Sequence, residues 1–263
     1  MTEKFRTKKS LGQHFLKSVS ALEKMAEAGS VSKKDTVVEI GPGEGVLTRV
    51  LLSKGARVIA IEKDDRLIPI LLGTFSAEVR SGQLTLIHTD ALEFKPEDHG
   101  LKPGKWKLIA NIPYYITGLI IRTFLENDTP PTTMVLLVQK EVATRIVAKD
   151  GKESLLSVSV KLFGTPTYIQ TVPRGAFSPP PKVDSAILSI DNIVRLPKKT
   201  REQFFEIARA GFAHPRKRLL KNLEAVRQSD EILTSAEKIG IQPDARPEDL
   251  SSREWETLAR SLN

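Results

Sequence analysis

Apolar and polar positions run in two rhythms along this chain. In the first half, short apolar runs of strand length trade places with stretches repeating at helical spacing. Residues 37–40, 57–61, 84–87, 107–110 and 134–138 read as strands. Residues 46–52, 65–72, 119–125 and 141–147 read as helices between and after them. Such alternation predicts right-handed crossovers and a mostly parallel sheet with helices on both faces.

The rhythm then changes. Residues 157–163, 167–172 and 185–190 are β-rich and closely spaced, as for antiparallel strands at one end of the sheet. Before the last of these lies Gly175-Ala176-Phe177-Ser178-Pro179-Pro180-Pro181, a turn-rich segment that three prolines hold stiff and extended. From residue 196 the pattern is helical throughout, with helices predicted at 200–212, 215–223, 229–239 and 251–262. The predicted organisation is an α/β domain over 1–195 and a small all-helical domain over 196–263.

Composition narrows the function classes. Of the 263 residues 40 % are hydrophobic, which suffices for a core. There is no cysteine, which excludes disulfides, thiolate metal sites and cysteine catalysis. No apolar run approaches the length of a spanning helix, and the start of the chain is charged rather than signal-like. A cytoplasmic, metal-free, non-membrane protein is therefore expected. The net charge is +8, and its placement matters more than its size. Residues 1–17 carry +4 and residues 209–227 carry +5, so the remainder is nearly neutral. Two basic clusters on a neutral body suit a polyanion. Lys8, Lys9, Arg216, Lys217, Arg218 and Lys221 are the candidate phosphate contacts.

The first strand runs into Gly41-Pro42-Gly43-Glu44-Gly45 with a helix behind it. Glycines there let the backbone turn tightly and approach a ligand closely. Ligands of open parallel sheets bind at the carboxyl ends of the strands. The dinucleotide fingerprint needs a small residue where Val46 stands, so that match fails. The Gly-x-Gly-x-Gly loop instead resembles that of the seven-stranded S-adenosylmethionine methyltransferases. Glu62 ends the second strand, where an acid can accept two hydrogen bonds from ribose hydroxyls. Asp90 follows the third, where an acid can accept from an adenine amino group.

The fourth strand ends in Asn111-Ile112-Pro113-Tyr114. An adenine amine is a weak nucleophile because its lone pair is delocalised into the ring. The Asn111 side-chain carbonyl and the Ile112 backbone carbonyl can each accept a hydrogen bond from it, drawing the nitrogen toward tetrahedral geometry. Methyl transfer would then depend on positioning and electrostatics. Pro113 stiffens the turn. Tyr114 offers a face for a flipped base, and Phe177 on its proline loop is the expected opposite face.

These residues, with Ser10-Leu11-Gly12-Gln13-His14-Phe15-Leu16, Val138-Gln139-Lys140-Glu141-Val142, the block from Phe177 to Ala186 and Phe212-Ala213-His214-Pro215-Arg216-Lys217-Arg218, resemble the small-subunit ribosomal RNA adenine dimethyltransferases of the KsgA type over nearly the whole chain. The resemblance implies a Rossmann-like seven-stranded fold. It implies transfer of methyl groups from S-adenosylmethionine to N6 of two adjacent adenines in the 3′-terminal hairpin loop of small-subunit rRNA, within an assembling 30S particle. It places cofactor contacts at His14, Leu16, Gly41, Gly43, Glu62, Asp90 and Asn111, with residues 1–30 helping to close the pocket and a basic helix starting near Arg216. His14 would act through its side chain or its backbone. Two other readings share these features: a large-subunit rRNA adenine methyltransferase conferring antibiotic resistance, and a non-catalytic RNA-binding or assembly factor on the same fold.

Overall fold

The computed structural model describes residues 14–262. Strands β2 (Thr36–Ile40), β3 (Arg57–Glu62), β4 (Leu84–His88), β5 (Lys107–Asn111) and β6 (Thr133–Gln139) are parallel, and β9 (Ser185–Asp191) and β7 (Thr165–Val172) join antiparallel at one edge. The order across this seven-stranded sheet is β4-β3-β2-β5-β6-β9-β7. From β2 the chain first builds outward through β3 and β4, then returns to place β5 on the other side. The topological switch point therefore lies between β2 and β5, where a crevice opens.

Alternate strand residues face opposite layers. Val37, Val58, Ala60 and Ile109 pack with helices α1 (Val19–Ala28), α2 (Val46–Ser53) and α3 (Leu67–Thr74). Val38, Ile40, Ile59, Ile61, Leu108 and Ala110 face the other way, onto α5 (Thr117–Leu125) and α6 (Lys140–Val147). Their apolar cluster continues without a break into the C-terminal helices α8 (Lys198–Gly211), α9 (Leu219–Leu223), α10 (Ser229–Ile239) and α11 (Ser252–Ser261). Buried Trp255 anchors these helices. It stacks on Phe212 at 4.9 Å, and its indole N–H donates to the Pro247 carbonyl at 3.2 Å.

Two predicted elements differ. Residues 157–163 are not a strand; helix α7 spans Leu155–Lys161. The Ser-Val-Ser-Val alternation imitates a strand, but a capping box starts a helix. Ser154 Oγ accepts from the Ser157 N–H at 3.1 Å, and Ser157 Oγ accepts from the Ser154 N–H at 2.7 Å. Residues 215–223 are not one helix either. Only Leu219–Leu223 is helical, so Arg216, Lys217 and Arg218 lie in the preceding turn. The Asn222 amide donates to the carbonyls of Gly211 (2.6 Å) and His214 (3.1 Å), pinning the chain where α8 stops. Two helices were not predicted, α1 and α4 (Ser76–Ser81). The signal for α1 was present: Ser18 caps it, and buried Ala21, Leu22, Met25 and Ala26 follow at helical spacing.

Candidate active site

A cavity of about 230 Å³ opens at the switch point, with Phe15, Gly41, Glu62, Asp90, Asn111 and Tyr114 in its wall. Gly41 and Gly43 both have positive φ, which favours glycine. A side chain on Gly43 would meet the Phe15 ring at 2.7 Å, whereas one on Gly41 would meet nothing within 4 Å. The loop thus leaves open space for a ligand above Gly41.

Glu62 is 6 % exposed at the end of β3. Its two oxygens accept from the backbone N–H groups of Asp64 (2.8 Å) and Gly43 (3.2 Å). Burial pushes its pKa up, and these bonds pull it back. The carboxylate retains lone pairs, so the ribose-acceptor chemistry fits. Asp90 accepts from the Leu92 N–H at 3.0 Å and pairs with Lys63 Nζ at 2.6 Å. Those two bonds, the backbone one first, hold its carboxyl below the usual range and keep it a charged acceptor. This donor set suits a nucleoside: acids for its hydroxyls and amine, and open backbone for its tail.

The other end of the cavity carries no charged group of this kind. Asn111 ends β5, and its Nδ2 donates to the His14 carbonyl at 3.1 Å. A carbonyl can only accept, so this bond fixes which way the amide points. Asn111 Oδ1 is left without a protein partner among the described residues, and Ile112 follows it in the cavity wall. Pro113 sits at φ −58° and ψ 134°, turning the chain immediately after these two acceptors. The Tyr114 hydroxyl bonds Ser185 Oγ at 2.6 Å, which fixes the ring, and burial raises its pKa.

His14 contributes on both counts. Its backbone holds Asn111, while its ring Nδ1–H donates to the Pro179 carbonyl at 2.8 Å and its ring plane lies within 19° of Tyr114, centroids 6.0 Å apart. Behind it, β1 (Phe15–Leu16) pairs with β8 (Phe177–Ser178), strapping the N-terminal segment to the proline loop.

The structure gathers His14, Gly41, Gly43, Glu62, Asp90, Asn111, Ile112, Pro113 and Tyr114 around one cavity. Two predicted site residues turn their side chains away from this cavity wall. The Leu16 side chain is in the core. The Phe177 ring, expected as the second stacking face, is 5 % exposed and packs in the same apolar cluster as Leu16, Val172 and Ile187. The ring that faces Tyr114 is that of His14. Arg216, Lys217, Arg218 and Lys221 line a separate open cleft of about 680 Å³, joined by Lys152 and Arg246 and by the carboxylates of Asp244, Glu248 and Asp249. Lys8 and Lys9 lie outside the described residues. Sequence reasoning missed Lys63, Ser185 and Tyr115. Each had a signal: Lys63 and Tyr115 stand next to predicted site residues, and Ser185 lies in the block from Phe177 to Ala186.

A parallel sheet with an open glycine loop, paired acids after adjacent strands, and a neutral amide–carbonyl pair facing them defines an S-adenosylmethionine-dependent methyltransferase acting on an amine. The chain belongs to the ribosomal RNA adenine dimethylase family, whose model matches residues 4–263, and it is an rRNA adenine dimethyltransferase with S-adenosylmethionine as methyl donor. It is 42 % identical over 259 residues to a ribosomal RNA small subunit methyltransferase A of Dehalococcoides mccartyi, covering 96 % of this chain and 87 % of that one. Among solved structures it is similar to a dimethyladenosine transferase from Plasmodium falciparum (TM-score 0.75, 28 % identity, 93 % and 96 % of the two chains). It is also similar to the 23S rRNA methyltransferase ErmE (TM-score 0.77, 25 % identity, 94 % and 99 %). No helix among the described residues is long and apolar enough to cross a membrane.

Proposed function

We propose that the chain dimethylates N6 of two adjacent adenines in the 3′-terminal hairpin loop of small-subunit rRNA, within an assembling 30S particle in the cytoplasm. The carrying observation is the anchored amide of Asn111, with Nδ2 tied to the His14 carbonyl and Oδ1 without a partner among the described residues.

Glu62 would hold the donor's ribose and Asp90 its adenine amine, while the open backbone at Gly41 admits its tail. The donor supplies one sulfonium methyl for each transfer. Asn111 Oδ1 and the Ile112 carbonyl accept the two N–H groups of the target amine, so its lone pair points away from both. After one methylation a single N–H remains, and one acceptor is enough to orient the second transfer. Tyr114, fixed by Ser185, backs the base. Preorganised acceptors of this kind need no rearrangement as charge develops. Residues 196–263, with the turn at Arg216, Lys217 and Arg218, would bind phosphates.

The large-subunit reading shares this fold. The 42 % identity over 96 % of the chain to a small-subunit enzyme favours the small-subunit target. Transfer of labelled methyl to unmethylated small-subunit particles and to free large-subunit rRNA tests the choice. Label in adjacent adenines of the small-subunit rRNA is expected, and label confined to the large-subunit rRNA would refute it. Calorimetric titration with S-adenosylmethionine tests the assembly-factor reading, for which no donor binding is the required result.

A further inference from the structure

Tyr115 stands beside Tyr114 in the cavity wall, near Lys63. It is 68 % exposed, although it lines the cavity mouth. Among the described residues its hydroxyl makes no hydrogen bond and its ring contacts no other ring. Leu119, 48 % exposed, follows four positions later, and the exposed Arg122 three after that. Leu119 and Arg122 share one face of α5, and Tyr115 lies in the short 3₁₀ turn, Tyr114–Ile116, that leads into it. The opposite face, with Ile120, Ile121 and Phe124, is fully buried. Core packing thus accounts for one face of the helix and leaves the other unexplained.

An exposed aromatic, an aliphatic and a cation in succession suit a single strand of nucleic acid: a base stacks on the ring and a phosphate meets the guanidinium. Among the described residues Arg122 is engaged only by Glu126, at 2.9 Å and one turn away, an exposed pair that a phosphate can displace at little cost. Across the adjoining groove Arg209 offers a second cation, seated over the Phe205 ring at 5.4 Å. The series begins at the mouth of the methylation cavity, so the strand that reaches it is the one whose base enters that cavity.

We propose that Tyr115 is the stacking platform for the nucleotide adjoining the target adenine, with Arg122 receiving the phosphate beyond it. The inference rests on the small-subunit reading, under which the adjoining nucleotide is the second adenine awaiting methylation. A base extruded into the cavity leaves its stack, and the base next to it loses a stacking neighbour. Tyr115 replaces the second loss and holds the partner adenine at the mouth.

The test is methyl transfer to unmethylated small-subunit particles. Tyr115→Ala should raise KM for particles about ten-fold, the scale of losing one base–aromatic stack. The rise should exceed any change in kcat or in S-adenosylmethionine affinity, the split expected of a side chain that grips the RNA rather than the donor. Tyr115→Phe should behave as wild type. An unchanged KM in Tyr115→Ala, or an equal defect in Tyr115→Phe, overturns the platform. A photo-crosslinking amino acid at position 115 should label rRNA next to the target, and a crosslink to a ribosomal protein instead overturns it as well. If the wild-type chain labels no adenine in these particles, the small-subunit reading itself falls, a result distinct from a variant-specific null.

Discussion

At the donor end of the cavity two carboxylates are tied to backbone N–H groups, Glu62 to those of Asp64 and Gly43 and Asp90 to that of Leu92. At the acceptor end one amide and one carbonyl, from Asn111 and Ile112, stand free of charge. The difference follows from what each end must recognise. A nucleoside cofactor presents hydroxyls and an amine in its ground state, and charged acceptors held by several bonds grip it well. The target amine must stay a nucleophile. Neutral acceptors take its N–H bonds and leave the lone pair to face the methyl. One end is therefore built for affinity and the other for geometry.

The sharpest way to break this comparison is Asn111→Ala. It removes one oriented acceptor and should cut kcat by roughly 10²–10³-fold, with donor and RNA affinity nearly unchanged. Rapid-quench methyl transfer alongside calorimetry checks both halves, and equal turnover in the variant would remove the lone-pair argument. Glu62→Gln should do the converse. Losing one charged acceptor should weaken donor binding by about 10–100-fold, while kcat at saturating donor stays within a few-fold. A variant that lost kcat but kept donor affinity would show that the two ends are not separable.

The basic cleft sharpens the comparison from outside. Arg216, Lys217 and Arg218 make no ion pair among the described residues and line an open, strongly polar cleft, unlike the bonded charges of the donor end. Replacing all three with Ala should weaken RNA binding and flatten its salt dependence by up to about one unit per lost phosphate contact, with kcat preserved on saturation. Binding isotherms over a salt series measure this, and an unchanged slope would move the footprint elsewhere.

Local signals carried most of this into the sequence. The five parallel strands are near-continuous apolar runs, and the glycine loop, Glu62, Asp90 and Asn111 each stand at a strand end, so one-dimensional spacing places them. What spacing could not give is long-range. The bond that orients Asn111 comes from His14, 97 positions earlier, and the bond that fixes Tyr114 comes from Ser185, 71 positions later. The burial of Phe177 follows from its pairing opposite Leu16, which no local pattern announces. At residues 155–161 the local signal itself misled, because β-branched alternation conflicted with a capping box and the cap, together with burial of Val158 and Val160, decided the outcome.

The smallest predicted effect concerns Glu39, a carboxyl beneath the donor end. It is fully buried, and Thr48 Oγ1 donates to it at 2.7 Å. Burial lifts its pKa from 4.5 to about 8, the Thr48 bond opposes the lift, and nearby Glu62 adds to it. Between pH 4.5 and 8 the folded chain therefore keeps a proton that the unfolded chain has shed. The stability from this residue is whole below the lower value, declines as pH rises through the interval, and is gone above the upper one. Glu39→Gln keeps an acceptor for Thr48 and removes the titration. Its stability should match wild type near pH 4.5 and exceed it at pH 8 by at least about 1.4 kcal/mol, the equivalent of one unit of the shift. Urea midpoints at the two pH values measure the gap. A gap that does not change with pH would mean Glu39 is ionised in the fold, and the donor end would then hold three charges rather than two.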